Sequence, residues 1–171
     1  VARTAGELPS ALLRPRVVVD KSDGDVRVYD GARLVAVFPA VVGSGQGDKR
    51  REGDRCTPEG RFYVCVRKGR GQTPYTRSLG LSYPAVGDAR RGLAAGAITR
   101  AEYEAIADAH ARRGRPPWDT ALGGAIMLHG CRRDATGAVR ETTLGCIAVD
   151  DAVIRALYPL LPLGTPVEIR R

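Results

Sequence analysis

The sequence predicts a mainly β domain carrying two short helices, and three observations predict it. Runs rich in β-branched residues recur along the chain, Asp-Gly pairs punctuate the early ones, and only two stretches combine a helix cap with helical apolar spacing. No longer unit repeats, and 171 residues suit one domain with enough apolar sequence for a core. Residues 16–171 are read as that domain, with 1–15, which lack periodicity, as an N-terminal arm or linker remnant.

Arg16-Val17-Val18-Val19-Asp20-Lys21 reads as the first strand, Val26 to Tyr29 alternates as the second, and Arg33 to Phe38 is the third. Asp23-Gly24 and Asp30-Gly31 are turn pairs that join such strands into a meander. Gly43 to Arg55 is rich in glycine and charge and is expected to be a mobile loop. Its Gly43-Ser44-Gly45-Gln46-Gly47 lacks the Gly-Lys-Ser/Thr ending of a phosphate cradle, and no helix is expected after it. Arg61 to Arg67 and Leu79 to Tyr83 read as further strands.

Thr99-Arg100-Ala101-Glu102 is a capping box, with Ile98 and Tyr103 placed as a hydrophobic staple. The helix it opens is expected to run to about Arg113 and stop at Gly114, with Tyr103, Ile106, Ala107 and His110 on one face. That spacing makes His110 a packing residue. Ala125 to Leu128 reads as a buried central strand ending in His129, where Gly130 permits a sharp turn. A second helix is expected from Asp150 as N-cap, with Val153, Ile154 and Leu157 inward and Pro159 ending it; Thr165 to Arg170 then closes the sheet.

The formal net charge of +8 favours anionic partners. The charge is spread from Arg14 to Arg133 and suits a generally arginine-rich surface, with attraction to an acidic wall polymer as the second reading. Aromatic residues make up 5%, too few for an array of base-stacking platforms, so no nucleic-acid partner is expected. No run approaches the ~20 apolar residues that cross a bilayer. Val1 is not an initiator methionine and no charged segment with an apolar run precedes the strands, so the sequence reads as a mature or trimmed form.

Four cysteines allow two disulfides. Cys56 and Cys65 flank a Thr-Pro-Glu-Gly turn and could bridge it; Cys131 could approach Cys146, which would block a nucleophile at 146 and make activity redox-sensitive. A zinc site from His129, Cys131 and Cys146 is disfavoured without a Cys-x-x-Cys knuckle. No metal and no cofactor are expected.

The chemistry concentrates in Ile126-Met127-Leu128-His129-Gly130 and, after a polar loop from Arg132 to Thr142, Thr142-Thr143-Leu144-Gly145-Cys146-Ile147. An imidazole ends one apolar run and a thiol behind a glycine begins the next. A nearby imidazole can lower a thiol pKa from ~8.5 to below 7, so the pair reads as a nucleophile and its base.

His-Gly, a loop, then Thr-x-Gly-Cys-apolar resembles the signature of the YkuD-type L,D-transpeptidases, cysteine enzymes of peptidoglycan. Val17 to Val42 is similar to that family's opening hairpin, Gly53-Asp54-Arg55-Cys56-Thr57-Pro58-Glu59-Gly60-Arg61-Phe62 to its Thr-Pro-x-Gly loop, and Leu79 to Pro84 to a mid-domain strand. The resemblance implies a β-sandwich or barrel-like L,D-transpeptidase catalytic domain. It makes Cys146 the nucleophile, His129 the base and the Gly130 carbonyl the group that orients the imidazole. Gly145 and Cys146 N–H groups become the oxyanion donors, and Thr143 a hydrogen-bonding site residue.

Tyr83 and Trp118 are candidates to line the cleft; packing leads for Tyr83, and the two readings of Trp118 are balanced. Leu144 stands where many members carry a second His, and Ala148 where many carry Arg or Asn; a similar Gly-Cys context without the second His occurs in a YafK-like branch that includes hydrolases.

The resemblance further implies export to the periplasm or cell envelope, a role in cell-wall biogenesis and cell shape, and a monomer. Stem peptides of peptidoglycan are the partner, with a wall-anchored lipoprotein as a second acceptor. A Cys146 thioester with the position-three diamino acid would pass to an amine; an amidase or L,D-carboxypeptidase using water is the alternative. A non-catalytic basic wall-binding module is the third reading.

Overall fold

The computed structural model describes residues 1–133 and 136–171; Asp134 and Ala135, within the expected polar loop, lie outside the described residues. The strands are β1 (Pro15–Asp20), β2 (Asp25–Asp30), β3 (Arg33–Pro39), β4 (Gly60–Lys68), β5 (Ser78–Leu81), β6 (Met127–His129), β7 (Ile147–Ala148) and β8 (Pro166–Arg170). They form one sheet in the order β3-β2-β1-β8-β4-β5-β6-β7.

The opening meander follows from its turns. Val19 pairs with Val26 across the first hairpin, and a bulge between Val28 and Tyr29 interrupts the second. The inward positions Val17, Val19, Val26, Val28 and Phe38 all join the main core. β8, the strand expected to close the sheet, is not an edge strand. It lies in the middle, parallel to β1 and antiparallel to β4, because its Val167 and Ile169 have apolar partners on both sides.

β4 curls the sheet. Its Gly60–Tyr63 segment pairs with β8, whereas Val64 to Lys68 pairs with β5 across a register shift between Val64 and Val66. Such a bulge bends a strand, and here it turns one half of the sheet over the other. The two ends then meet: Val41 exchanges both backbone hydrogen bonds with Ala148 at 2.9 Å, and Thr143 N–H reaches Val42 O at 2.8 Å. The segment expected to be a mobile loop after Val42 therefore begins as a laced seam. The result is an open, curled, barrel-like sheet.

Among the described residues three α-helices cover it, one more than the sequence predicts: α1 (Val86–Ala94), α2 (Arg100–Ala111) and α3 (Asp151–Leu160). α1 escapes the sequence reading because Ala85 is a poor cap and Gly87 and Gly92 weaken the helix signal. Gly92 is nevertheless needed, since a Cβ there would stand 2.9 Å from Leu122 Cδ2. Ala89, Ile98, Ile106 and Leu122 form a second small core under α1 and α2, with Tyr103 packed against it.

α2 opens as expected: Thr99 Oγ1 accepts from Glu102 N at 3.2 Å and Glu102 Oε2 accepts from Thr99 N at 2.7 Å. It ends earlier, at Ala111, and the left-handed residue is Arg113, with φ of 53°, instead of Gly114. His110 packs on Tyr63 and its Nε2 lies 2.8 Å from Pro84 O, a packing role.

α3 buries Val153, Ile154 and Leu157. Pro159 does not end it; the Leu161 N–H reaches Leu157 O at 3.1 Å, completing the turn past the proline. The N-terminal residues lie against the body, where Ala2 is buried and bonds to Val35 O and Val37 N along the outer edge of β3. Among the described residues no helix is long and apolar enough to cross a membrane.

Candidate active site

β6 and β7 are parallel neighbours, pairing Leu128 with Ile147 and His129 with Ala148. Side chains alternate along a strand, so Cys146, two residues before Ala148 in the alternation, shares the face of His129. β6 is next to the sheet's edge and not central, which is what leaves this face open. His129 and Cys146 both line a cleft of about 370 Å³ together with Ser44, Arg55, Tyr75, Arg140, Thr142, Thr143 and Leu144.

His129 is only 2% exposed. Its Nδ1 lies 2.7 Å from the Gly130 carbonyl oxygen, which can only accept, so Nδ1 carries the proton and Nε2 is left as the basic nitrogen. The Tyr75 ring covers the imidazole in a stacked arrangement. The left-handed residue of the turn is Cys131, with φ of 64°, and not Gly130. Gly130 is required for a different reason: a Cβ there would collide with Asp151 Oδ1 and stand 2.8 Å from Ile154 Cγ2.

A web of short bonds holds the loop that carries Cys146. Gly145 has φ of 135°, a region open to glycine, and a Cβ there would lie 2.9 Å from Cys56 O. Thr57, fully buried, donates to Gly145 O at 2.8 Å and accepts from Gly43 N at 2.8 Å. Thr143 Oγ1 donates to Cys146 O at 2.6 Å and accepts the Gly145 N–H at 3.0 Å. The Gly145 N–H is therefore engaged in this structure and is not a free oxyanion donor.

The Cys146 sulfur lies 3.5 Å from Met127 N and 3.6 Å from Ala125 O. Burial pushes its pKa up from 9.0, and the Met127 N–H and the Lys49 charge offset this only in part. Burial likewise pulls His129 below 6.5; the Gly130 hydrogen bond and Asp151 oppose that shift, and Arg140 adds to it. Burial thus disfavours the charged form of each group. This shift runs against the expected lowering of the thiol pKa by the imidazole, because desolvation penalises charge on both groups.

Two expected cleft residues are elsewhere. Tyr83 is fully buried, donates to Leu122 O at 2.9 Å and packs edge-on to Phe62, because the chain leaving β5 runs beneath α1. Trp118 packs over Gly124 and Gly80, with the Arg115 guanidinium 5.0 Å from its ring, and it does not line the cleft. The sequence reading missed Tyr75, Ser44, Arg55 and Arg140 as lining residues, and Thr57 and Asp151 as supports. Thr57 had a signal, a threonine before proline in the loop likened to the family; a lone tyrosine in Gln72-Thr73-Pro74-Tyr75 had none.

All four cysteines are free, so neither expected disulfide is present. Cys56 donates to Gln46 O at 3.3 Å, and burial pushes Cys65 up to about 11. Cys131 donates to Arg133 O at 2.7 Å and lines a separate hollow with Asp150 and Asp151. Among the described residues no group of three or more His, Cys, Asp or Glu could hold a metal.

Comparison with known proteins gives the same fold. Bd1075 of Bdellovibrio bacteriovorus superimposes with a TM-score of 0.60 at 22% identity, covering 93% of this chain and 48% of that one. The helical cell shape determining protein Pgp2 of Campylobacter jejuni, as its K307A mutant, gives 0.63 at 20%, with 92% and 47% covered. An L,D-transpeptidase of Xylanimonas cellulosilytica, solved over its residues 123–326, gives 0.55 at 17%, with 95% and 63% covered. The chain thus spans about half the length of the first two. No curated protein matches the sequence. The L,D-transpeptidase catalytic domain family, YkuD, matches residues 14–169, nearly the whole fold and every residue of the cleft, and this chain belongs to it.

Proposed function

We propose that the protein is an exported cysteine acyltransferase acting on peptidoglycan stem peptides, with Cys146 as nucleophile and His129 as base. The observation that carries this is the shared face of two parallel strands: thiol and imidazole open into one cleft, with Nδ1 committed to Gly130 O and Nε2 left to take a proton. Arg55 and Arg140 on the cleft wall suit the carboxylates of a stem peptide.

The thiol proton passes to Nε2 as sulfur attacks the carbonyl on the L-centre of the position-three diamino acid. Charge then develops on the carbonyl oxygen, and the Cys146 N–H is the donor available to it, since Thr143 holds that of Gly145. One such donor is commonly worth ~10²–10³ in rate. The imidazolium returns its proton to the leaving amine, which departs and leaves a thioester. An incoming amine, from another stem or a lipoprotein lysine, loses a proton to Nε2 and displaces the sulfur. Transfer between stems would place the protein in cell-wall biogenesis and cell shape.

Hydrolysis is the second reading. Leu144 at the cleft mouth is 77% exposed, so water approaches the thioester as freely as an amine. Digestion of purified sacculi followed by mass spectrometry distinguishes the two: 3→3 dimers support transfer, and released tripeptides or lysine-bearing fragments support hydrolysis. Cys146→Ala is expected to abolish both products and the mass adduct with a carbapenem while the protein stays folded. Turnover surviving that change refutes the proposal, and binding to sacculi without any product leaves a wall-binding module.

A further inference from the structure

A single peptide unit stands between His129 and a carboxylate. The Gly130 carbonyl receives the Nδ1–H at 2.7 Å, and the N–H of that same peptide, on Cys131, donates to Asp151 Oδ1 at 2.8 Å. An amide bonded at both ends is polarised along its length: a carboxylate drawing on the N–H enriches the carbonyl oxygen. Three features of the turn are accounted for by this link. Gly130 has no room for a Cβ because Asp151 Oδ1 occupies that place. Cys131 takes the left-handed conformation, rare for a residue with a side chain, and so turns its N–H to the carboxylate. Asp151 is the first residue of α3, where a carboxylate favours the helix dipole; yet the bond it makes there runs to the His129 turn.

We infer that Asp151 is a positioning residue of the acyl-transfer site. Its carboxylate holds and polarises the Gly130–Cys131 peptide, so that the carbonyl keeps His129 in its Nδ1–H tautomer and stabilises the imidazolium formed when Nε2 takes the thiol proton. The inference rests on the function proposed above. The groups facing His129 are Tyr75 from the β4–β5 connection, Arg140 and Cys146 from the cleft, and Asp151 from α3. Arg132, Arg133 and Asp150 share the hollow beside Asp151. Arg140 works against the imidazolium, and among the described residues Asp151 is the acidic side chain that favours it.

The test compares Asp151→Asn, which keeps the accepting oxygen and removes the charge, with Asp151→Ala, which removes both. The readout is the rate of Cys146 acylation by a carbapenem, followed by intact-protein mass spectrometry across pH 5 to 9. For Asp151→Asn we expect roughly a tenfold slower acylation and a limb attributable to His129 displaced to lower pH, with the melting temperature little changed; Asp151→Ala is slower again. An Asp151→Asn protein that is folded and shows the wild-type rate and profile overturns the inference. Nitrogen NMR of the unsubstituted protein gives a second check independent of folding: a proton on Nε2 with Nδ1 bare overturns it too. His129→Ala separates this failure from that of the proposed function, because acylation that survives loss of the imidazole refutes the base itself.

Discussion

The Tyr75 ring lies flat on the His129 imidazole, the centroids 3.7 Å apart and the planes within 15° of parallel. This stack shields the imidazole from water, and the pKa of His129 is low chiefly because it is buried. Tyr75→Ala is expected to let His129 rise back toward 6.5, moving the acid limb of the pH–rate profile to higher pH. Loss of the ring contact costs about 1 kcal/mol of stability. Tyr75→Phe keeps the stack and should keep the profile; a profile unmoved by Tyr75→Ala would show that the ring does not control the base.

Stability should also respond to His129. In the unfolded chain it binds its proton near 6.5, and in the folded protein it binds it less readily. Between those two values the unfolded state holds more protons, so the folded state is favoured fully above 6.5 and loses that contribution as pH falls below it. Melting temperatures measured from pH 7.5 down to 5 should fall more steeply for the natural protein than for His129→Gln.

Thr57 ties two segments together through one hydroxyl, accepting from Gly43 N and donating to Gly145 O, both at 2.8 Å. Thr57→Val preserves shape and leaves both backbone groups unpaired, a cost of about 1–3 kcal/mol per buried group. Because Gly145 precedes Cys146, acylation of that thiol should slow as well. Denaturant melts and acylation rates on the same protein check the two effects.

Lys49 is 4% exposed, and its ammonium lies 2.9 Å from Asp54 Oδ1. Burial alone would raise the Asp54 pKa, but the N–H groups of Arg50, Arg51 and Cys56, with Lys49, bring it down to about 2. The stability this contributes is complete above 3.8 and disappears as pH falls toward about 2. Asp54→Asn should cost about 3 kcal/mol at neutral pH, since it strands a buried ammonium. An acid titration followed by circular dichroism should show the variant losing its dependence in that range.

Local chemistry made part of this molecule legible. The Asp-Gly turns at 23 and 30 specify the β1–β3 meander, the Thr99–Glu102 box opens α2, and the apolar spacing of Val153, Ile154 and Leu157 places α3. What stayed hidden depends on contacts distant in sequence. Gly92 weakens α1 as a helix signal yet fits it against Leu122, and β8 reaches the sheet's centre by pairing with β1 and β4. In the site, the sequence pointed to the wrong tyrosine. Tyr83 follows the apolar strand β5 and is buried beside it, whereas Tyr75 meets His129 only because the β4–β5 connection passes over β6. Burial of the Cys146 thiol, which pushes its pKa up, was hidden for a related reason, since motif spacing carries no information about desolvation.

The reciprocal bonds between Val41 and Ala148 have a consequence for recognition. A strand whose outer rim is already occupied cannot capture a ligand by backbone pairing, the route by which many peptide-binding sheets extend themselves. Any peptide that reaches the sulfur must instead lie across the cleft and be gripped by side chains. On the proposed function, selectivity would therefore reside in the walls supplied by Ser44, Arg55, Arg140 and Leu144.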